Sequence, residues 1–244
     1  VIIGGNGYIG SVLNGLPTRR TAVYLAFMSN NDMCMRNPEL ARELNEESFA
    51  NFLKDCPVPK VIFASSVAAY GDCLDATEDT PLAPTTEYGR AKKACEEMLI
   101  ASGLDYTIVR SASVCGVSPK MRYDLMVNRM VRDAAKTGVI TVNGGAQMRS
   151  HVHLYDLYNF YQWVLLNPEK TSRETFNVVA ENQSVMDTAE LVAKTIGKTG
   201  ITFKPSTDNR SYTVSGEKAK AAGFECRSSL REAIISVYLE TLYG

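Results

Sequence analysis

The chain has 244 residues, 45% hydrophobic and 22% charged, with a formal net charge of −1. That length can bury the core of one α/β domain with a smaller attached lobe. The even charge balance lacks the basic excess of a nucleic-acid protein, and no run is apolar and long enough to span a bilayer.

The chain begins Val1-Ile2-Ile3 and runs straight into Gly4, Gly5, Gly7 and Gly10. A β-branched strand followed by glycines three apart predicts a strand, a tight turn and a helix start. Such a turn lets backbone approach a pyrophosphate, which then sits at the helix N-terminus among free N–H groups. Thr21–Phe27 reads as the next strand and Met28–Arg36 as a loop over the bound cofactor. Pro38–Cys56 reads as a helix, with Leu40, Leu44, Phe49, Phe52 and Leu53 available for burial. Val61-Ile62-Phe63-Ala64 is a buried strand, and Ser65 and Ser66 stand at its C-terminal end, where open α/β sheets bind ligands. Asp72–Thr85 is an acidic, proline-containing loop. A helix then opens at Pro84-Thr85-Thr86-Glu87-Tyr88 and continues to about Ser102, with Gly103 as a cap.

Tyr88 and Lys92 are four apart and share one helix face. With Ser66 they form a hydroxyl, a phenol and an ammonium that can meet at one point. The chemistry that suits them is proton removal from an alcohol while a hydride leaves the same carbon. A phenol titrates near 10, and a nearby ammonium is expected to lower that by about 1–3 units, toward the range of a useful base. The serine hydroxyl would hold the substrate oxygen in line.

Beyond Gly103, Asp105–Arg110 reads as a strand, and Ser113-Val114-Cys115-Gly116 follows it. Cys115 is expected to be a small buried thiol. Pro119–Asn128 leads into a helix ending near Gly138; Gly138–Asn143 is a strand and Gly144-Gly145 a turn. In Met148–Asp156, alternation puts Arg149, His151 and His153 on one strand face. No third ligand accompanies the His-x-His pair, so no metal is assigned. A helix over Leu157–Leu166 stops at Asn167-Pro168, and Phe176–Val179 is a short strand. Asp187 and Ser229 open two further helices.

In order and spacing these motifs resemble the extended short-chain dehydrogenase/reductase family, in its nucleotide-sugar epimerase and dehydratase branch. The matching pieces are Gly4-x-x-Gly7-Tyr8-Ile9-Gly10, Ala22–Phe27, Ser65-Ser66 with Tyr70-Gly71, Tyr88-x-x-x-Lys92, and Arg149–Asp156. The resemblance implies a Rossmann-type doubly wound parallel sheet over 1–112 and mainly a substrate lobe over 113–244, with returns to the sheet. It implies Ser66, Tyr88 and Lys92 as the catalytic trio. It implies NAD as cofactor, with NADP as the alternative, held by Gly4, Gly7, Tyr8, Ile9, Gly10, Leu25, Ala26, Phe27, Asn45, Ser65, Tyr88, Lys92 and Ser111. A nucleotide sugar would meet Ser66, Ser113, Asn128, Arg149 and Arg210, the two arginines closing on its diphosphate. At Ser113–Cys115 the family's asparagine and tyrosine are replaced.

The implied reaction is hydride transfer at C4 of the sugar: epimerisation, or 4-dehydrogenation or 4-keto reduction without it. Dehydration is disfavoured, because Val67-Ala68 stands where the 4,6-dehydratases carry an Asp-Glu pair. A different class of reading is a catalytically silent relative that serves as a binding protein. A homodimer through the helices at about 38–56 and 87–102 is expected. The resemblance also implies about fifty more residues between Gly10 and Thr21, since a βαβ unit needs about thirty; the intact mass is then expected to exceed 26.8 kDa. The acidic or basic residue that separates NAD from NADP would lie in that segment. No signal peptide precedes Val1, and the six scattered cysteines form no C-x-x-C, so a cytoplasmic location is expected.

Overall fold

The computed structural model describes residues 1–206, 208 and 210–244. The chain starts with β1 (Ile2–Ile3), the glycine turn and a single-turn helix α1 (Gly10–Leu13), then reaches β2 (Thr21–Tyr24). Leu13 and Leu16 are buried in that connection. The expected loop after β2 contains a short helix, α2 (Asn31–Arg36), because the Asn30 side chain accepts the Met33 N–H at 3.0 Å and caps it.

The helix expected over 38–56 has three parts. α3 (Pro38–Arg42) passes through a π-helical turn over Glu43–Glu47 into α4 (Ser48–Lys54). The turn aims Asn45 inward, where its side chain receives the Met28 N–H at 2.6 Å and donates to the Met28 carbonyl at 3.2 Å. π-Turns of this kind are frequent at functional sites; this one ties the helix to the segment leaving β2.

Next come β3 (Lys60–Ser66), a 3₁₀ turn over Val67–Ala69, α5 (Glu87–Ala101), β4 (Asp105–Ser111) and β5 (Ser113–Cys115). The remainder is α6 (Met126–Thr137), β6 (Val139–Asn143), β7 (Met148–His153), α7 (Leu154–Leu166), α8 (Pro168–Thr171), β8 (Glu174–Val178), β9 (Glu181–Ser184), α9 (Val185–Ile196), β10 (Gly200–Lys204), α10 (Glu217–Ala222) and α11 (Leu230–Tyr243). α7 starts three residues before its expected first residue, because His153 Nδ1 accepts the Tyr155 N–H at 2.9 Å. The capping box at Ser229 and Glu232 is formed from both sides.

Five strands make one parallel sheet in the order β1-β2-β3-β4-β8. Its central strands are near-continuous apolar runs because both faces are covered. Tyr24, Phe63 and Ile108 pack with Phe49, Cys95 and Leu99 on the α4–α5 side. Val23, Ile62 and Val109 pack with Leu157, Phe160 and Phe176 on the α7 side. Residues beyond 112 return to this sheet once, as β8. They otherwise build a three-stranded sheet β5-β7-β9 and a pair β6-β10, around a core that includes Val131, Ile140, Val192 and Ile234. The carboxyl ends of β1 to β4 and this second core face each other across a cleft.

Candidate functional site

At the glycine turn two positions admit no side chain. A Cβ on Gly4, whose φ is +86°, would lie 2.6 Å from the Ala26 nitrogen, and one on Gly10 would lie 2.1 Å from the Gly4 carbonyl oxygen. The turn is therefore packed against both β2 and its own helix start. With Leu25, Ala26 and Phe27 it lines a cleft of 480 Å³. Tyr8 does something else: it is buried, its hydroxyl donates to the Gly116 carbonyl at 2.7 Å, and its carbonyl receives Ser118 Oγ. It ties the glycine turn to the second half of the chain.

Ser66 ends β3, and Oγ caps the 3₁₀ turn by accepting the Ala68 N–H at 3.2 Å. Tyr88 lies in the first turn of α5, whose N-cap is Thr86. Ser66 and Tyr88 line one cavity of 240 Å³ with Tyr8, Ile9, Ser111 and Ser113. Lys92 is buried behind them. Its ammonium donates to the Ala64 carbonyl at 2.6 Å. Burial pushes Lys92 down to about 7 and the Tyr88 phenol up to about 12. The expected lowering of Tyr88 by Lys92 is thus corrected: desolvation of the phenolate dominates. What opposes it is the hydrogen bond from Ser66 and the positive charge of Arg122.

That cavity shares Ser29, Asn31, Ser113, Arg122, Arg210 and Tyr212 with a neighbouring cavity of 450 Å³, which Arg149 also lines. Arg149 and Arg210, far apart in sequence, converge on one carboxylate. Arg210 donates from Nε and Nη2 to Asp208 at 2.7 Å each, and Arg149 Nη2 donates to the same group at 3.3 Å. The Arg210 guanidinium holds the Asp208 carboxyl below the usual range. Thr207 and Asn209, on either side of Asp208, lie outside the described residues.

Some expected contact residues face the protein rather than a cavity. Asn128 is fully buried, donating to Tyr8 Oη and the Arg122 carbonyl and accepting the Gly116 N–H. Asn45 is occupied by Met28, and Ser65 donates to Glu96. Arg122 was not singled out by any motif. It lines both cavities, paired with Asp124 and Ser29. A guanidinium between Met121 and Tyr123 was the only sequence signal for it.

A parallel sheet covered on both faces, with a glycine turn after its first strand and Ser66 at the end of its third beside Tyr88, defines a Rossmann-type α/β fold. The pattern of the NAD dependent epimerase/dehydratase family matches residues 20–179, and the chain belongs to that family. It is 28% identical over 173 residues to a UDP-glucose 4-epimerase of Lactobacillus helveticus, covering 62% of this chain and 52% of that one. The chain spans about half the length of the curated relatives it matches. Among solved structures, the UDP-glucose 4-epimerase of Thermotoga maritima superposes with a TM-score of 0.88 at 22% identity, covering 100% of this chain and 99% of that one. The UDP-glucuronic acid 4-epimerase of Bacillus cereus does so with a TM-score of 0.89 at 17% identity, covering 99% of each. Among the described residues no helix is long and apolar enough to cross a membrane.

Proposed function

We propose that this chain is an NAD-dependent oxidoreductase or epimerase acting at C4 of a sugar carried on a nucleoside diphosphate. The observation that carries the reading is the joined pair of cavities: Ser66 and Tyr88 at one end, Arg149 and Arg210 converging at the other. The relatives named above act on UDP-sugars at C4. The buried Asn31 Oδ1 in the shared wall has no hydrogen-bond partner among the described residues, an acceptor suited to a sugar hydroxyl.

The dinucleotide fits the glycine turn, where two positions have no room for a Cβ and the backbone can approach a phosphate closely. Gly4, Gly7 and Gly10 would hold its pyrophosphate, with Leu25, Ala26 and Phe27 lining the cleft beside it, and Tyr88 would meet the ribose next to the nicotinamide, backed by the buried Lys92. When bound, the nicotinamide supplies a hydride acceptor. In its phenolate form, which the Ser66 hydrogen bond and the Arg122 charge favour, Tyr88 takes the proton of the C4 hydroxyl through Oη, and Ser66 Oγ hydrogen-bonds the same oxygen and orients it. Arg149 and Arg210 release Asp208 and take the diphosphate in charge-assisted contacts. That remote binding energy orients a sugar ring with few distinguishing features. Val67 and Ala68 beside Ser66 carry no acid, which disfavours a dehydration.

The second reading, a silent binding protein, differs in one outcome. Incubation of the protein and NAD with UDP- and GDP-sugars, followed by product NMR, should give a C4 epimer or a 4-keto sugar. Nucleotide-sugar binding without any product would establish the binding protein instead.

A further inference from the structure

Outside the cavities lies a closed network of buried polar side chains. Glu96 sits on α5 one turn beyond Lys92 and two beyond Tyr88, on the same helix face, and is 1% exposed. Its carboxylate accepts from Ser65 Oγ, the neighbour of Ser66. Arg110, the register partner of Ser65 on β4, donates to both Glu96 oxygens, from Nε at 3.1 and 3.2 Å and from Nη2 at 2.6 Å. Its Nη1 donates to Tyr70 Oη at 2.8 Å and to the Glu78 carbonyl at 3.1 Å. Tyr70 in turn donates to Asn177 on β8 at 2.8 Å. One guanidinium therefore joins α5, β3, β4 and the segment that follows Ser66. None of these side chains lines the cavity that holds Ser66 and Tyr88.

A buried ion pair is a weak source of stability, because desolvation offsets most of the attraction. A bidentate pair does restrict geometry: it has one good arrangement, whereas apolar contacts tolerate sliding. Sliding matters at this junction. Tyr88 is on the helix and Ser66 on the strand, and a Cβ on Gly89 would lie 2.5 Å from the Ala68 carbonyl oxygen. The helix start is pressed against the turn that Ser66 caps. A misplacement of about 1 Å between reacting groups can cost on the order of 10²-fold in rate.

We propose that the buried Glu96–Arg110 pair is a positioning device, which keeps the helix carrying Tyr88 in register with the strand end carrying Ser66. This rests on the roles given to Ser66 and Tyr88 above. Neither Glu96 nor Arg110 touches the reacting atoms.

Removing one partner alone leaves a buried charge unpaired and endangers the fold, whereas replacing both by apolar residues of similar volume is often neutral. The test is therefore the double variant E96M/R110M. It should melt within a few degrees of wild type, with kcat reduced by on the order of 10²-fold and KM for the nucleotide sugar nearly unchanged. Amide exchange over residues 66–71, read by mass spectrometry, should accelerate by about tenfold or more. If the double variant does not fold, R110K takes its place: it keeps the charge but cannot form the fork, and the same two effects are expected. A folded variant that keeps kcat within threefold, or wild-type exchange over 66–71, overturns the proposal. If wild-type protein turns over no nucleotide sugar, the functional reading has failed, and the exchange measurement alone decides the positioning.

Discussion

The ammonium nitrogen of Lys92 lies 3.4 Å from the centre of the Phe27 ring. The same ring meets Tyr88 edge-on, with centroids 5.8 Å apart and planes at 84°. Phe27 leaves the end of β2, and the Ala64 carbonyl that receives Lys92 belongs to β3. The lysine is thus held by two adjacent strand ends, its charge over an aromatic face, an interaction of about 2 kcal/mol when desolvated. Desolvation governs the Tyr88 phenol beside it, and burial of the lysine itself generates a pH signature.

Lys92 titrates near 7 in the folded protein, well below the ordinary lysine value, because burial disfavours the ammonium. The unfolded chain therefore holds a proton that the folded chain has lost between about pH 7 and pH 10, and stability should rise with pH across that window. Below pH 7 both states are charged and the penalty is fully present. Lys92→Met should abolish the rise, leaving a flatter Tm profile between pH 7 and 9.5. Equal profiles for both proteins would place the ammonium in a better solvated position than this one.

Tyr88→Phe removes the proton acceptor and keeps the ring that packs on Phe27. Turnover should fall by about 10²–10⁴-fold, while the dinucleotide stays bound, as followed by its absorbance near 340 nm in the reduced form. Retention of a tenth of wild-type turnover would remove Tyr88 from the mechanism.

Arg149→Ala should weaken nucleotide-sugar binding by roughly tenfold or more with little effect on the dinucleotide. Its guanidinium is mostly buried and already engages an anion, Asp208. Calorimetric titration with UDP- and GDP-sugars beside the free sugars checks this. Free sugars that bind as well as the nucleotide-linked ones would exclude a diphosphate site.

Gly10→Ala tests the turn. The new methyl would lie 2.1 Å from a backbone oxygen, a contact no side-chain rotation relieves. The turn must open, and dinucleotide affinity should fall at least tenfold, while the β3–β4 half of the sheet keeps its structure. A fluorescence titration showing unchanged affinity would mean that the cofactor does not rest on this turn.

The helices α3 to α5 carry Leu40, Leu44 and Ile100 exposed, more apolar surface than packing on the sheet requires. A homodimer through these helices, as a four-helix arrangement across a two-fold axis, should sediment at twice the monomer mass at micromolar concentration. A monomer there would leave those side chains to another role.

Much of this molecule is written locally. The glycine spacing after Ile3, the apolar run into Ser65-Ser66 and the four-residue step from Tyr88 to Lys92 are each short-range patterns, and each reports a backbone geometry directly: a tight turn, a strand buried on both faces, one helix face. The parallel sheet follows from them, because strands buried on both faces need helices to cover them; its order, each new strand added on the same side, does not. Boundaries depended on single side chains. Asn30 turns an expected loop into α2, His153 starts α7 early, and the π-turn at Glu43–Glu47 aims Asn45 into the protein. What only the tertiary structure decided is where charges go. Burial depth reverses the expected shift of Tyr88 and lowers Lys92, since desolvation is a property of everything packed around a group. The meeting of Arg149 with Arg210 on Asp208, the siting of Arg122 in both cavities, and the pairing of Glu96 with Arg110 are long-range contacts. No periodicity or motif encodes them; they follow from the order in which the strands are laid side by side.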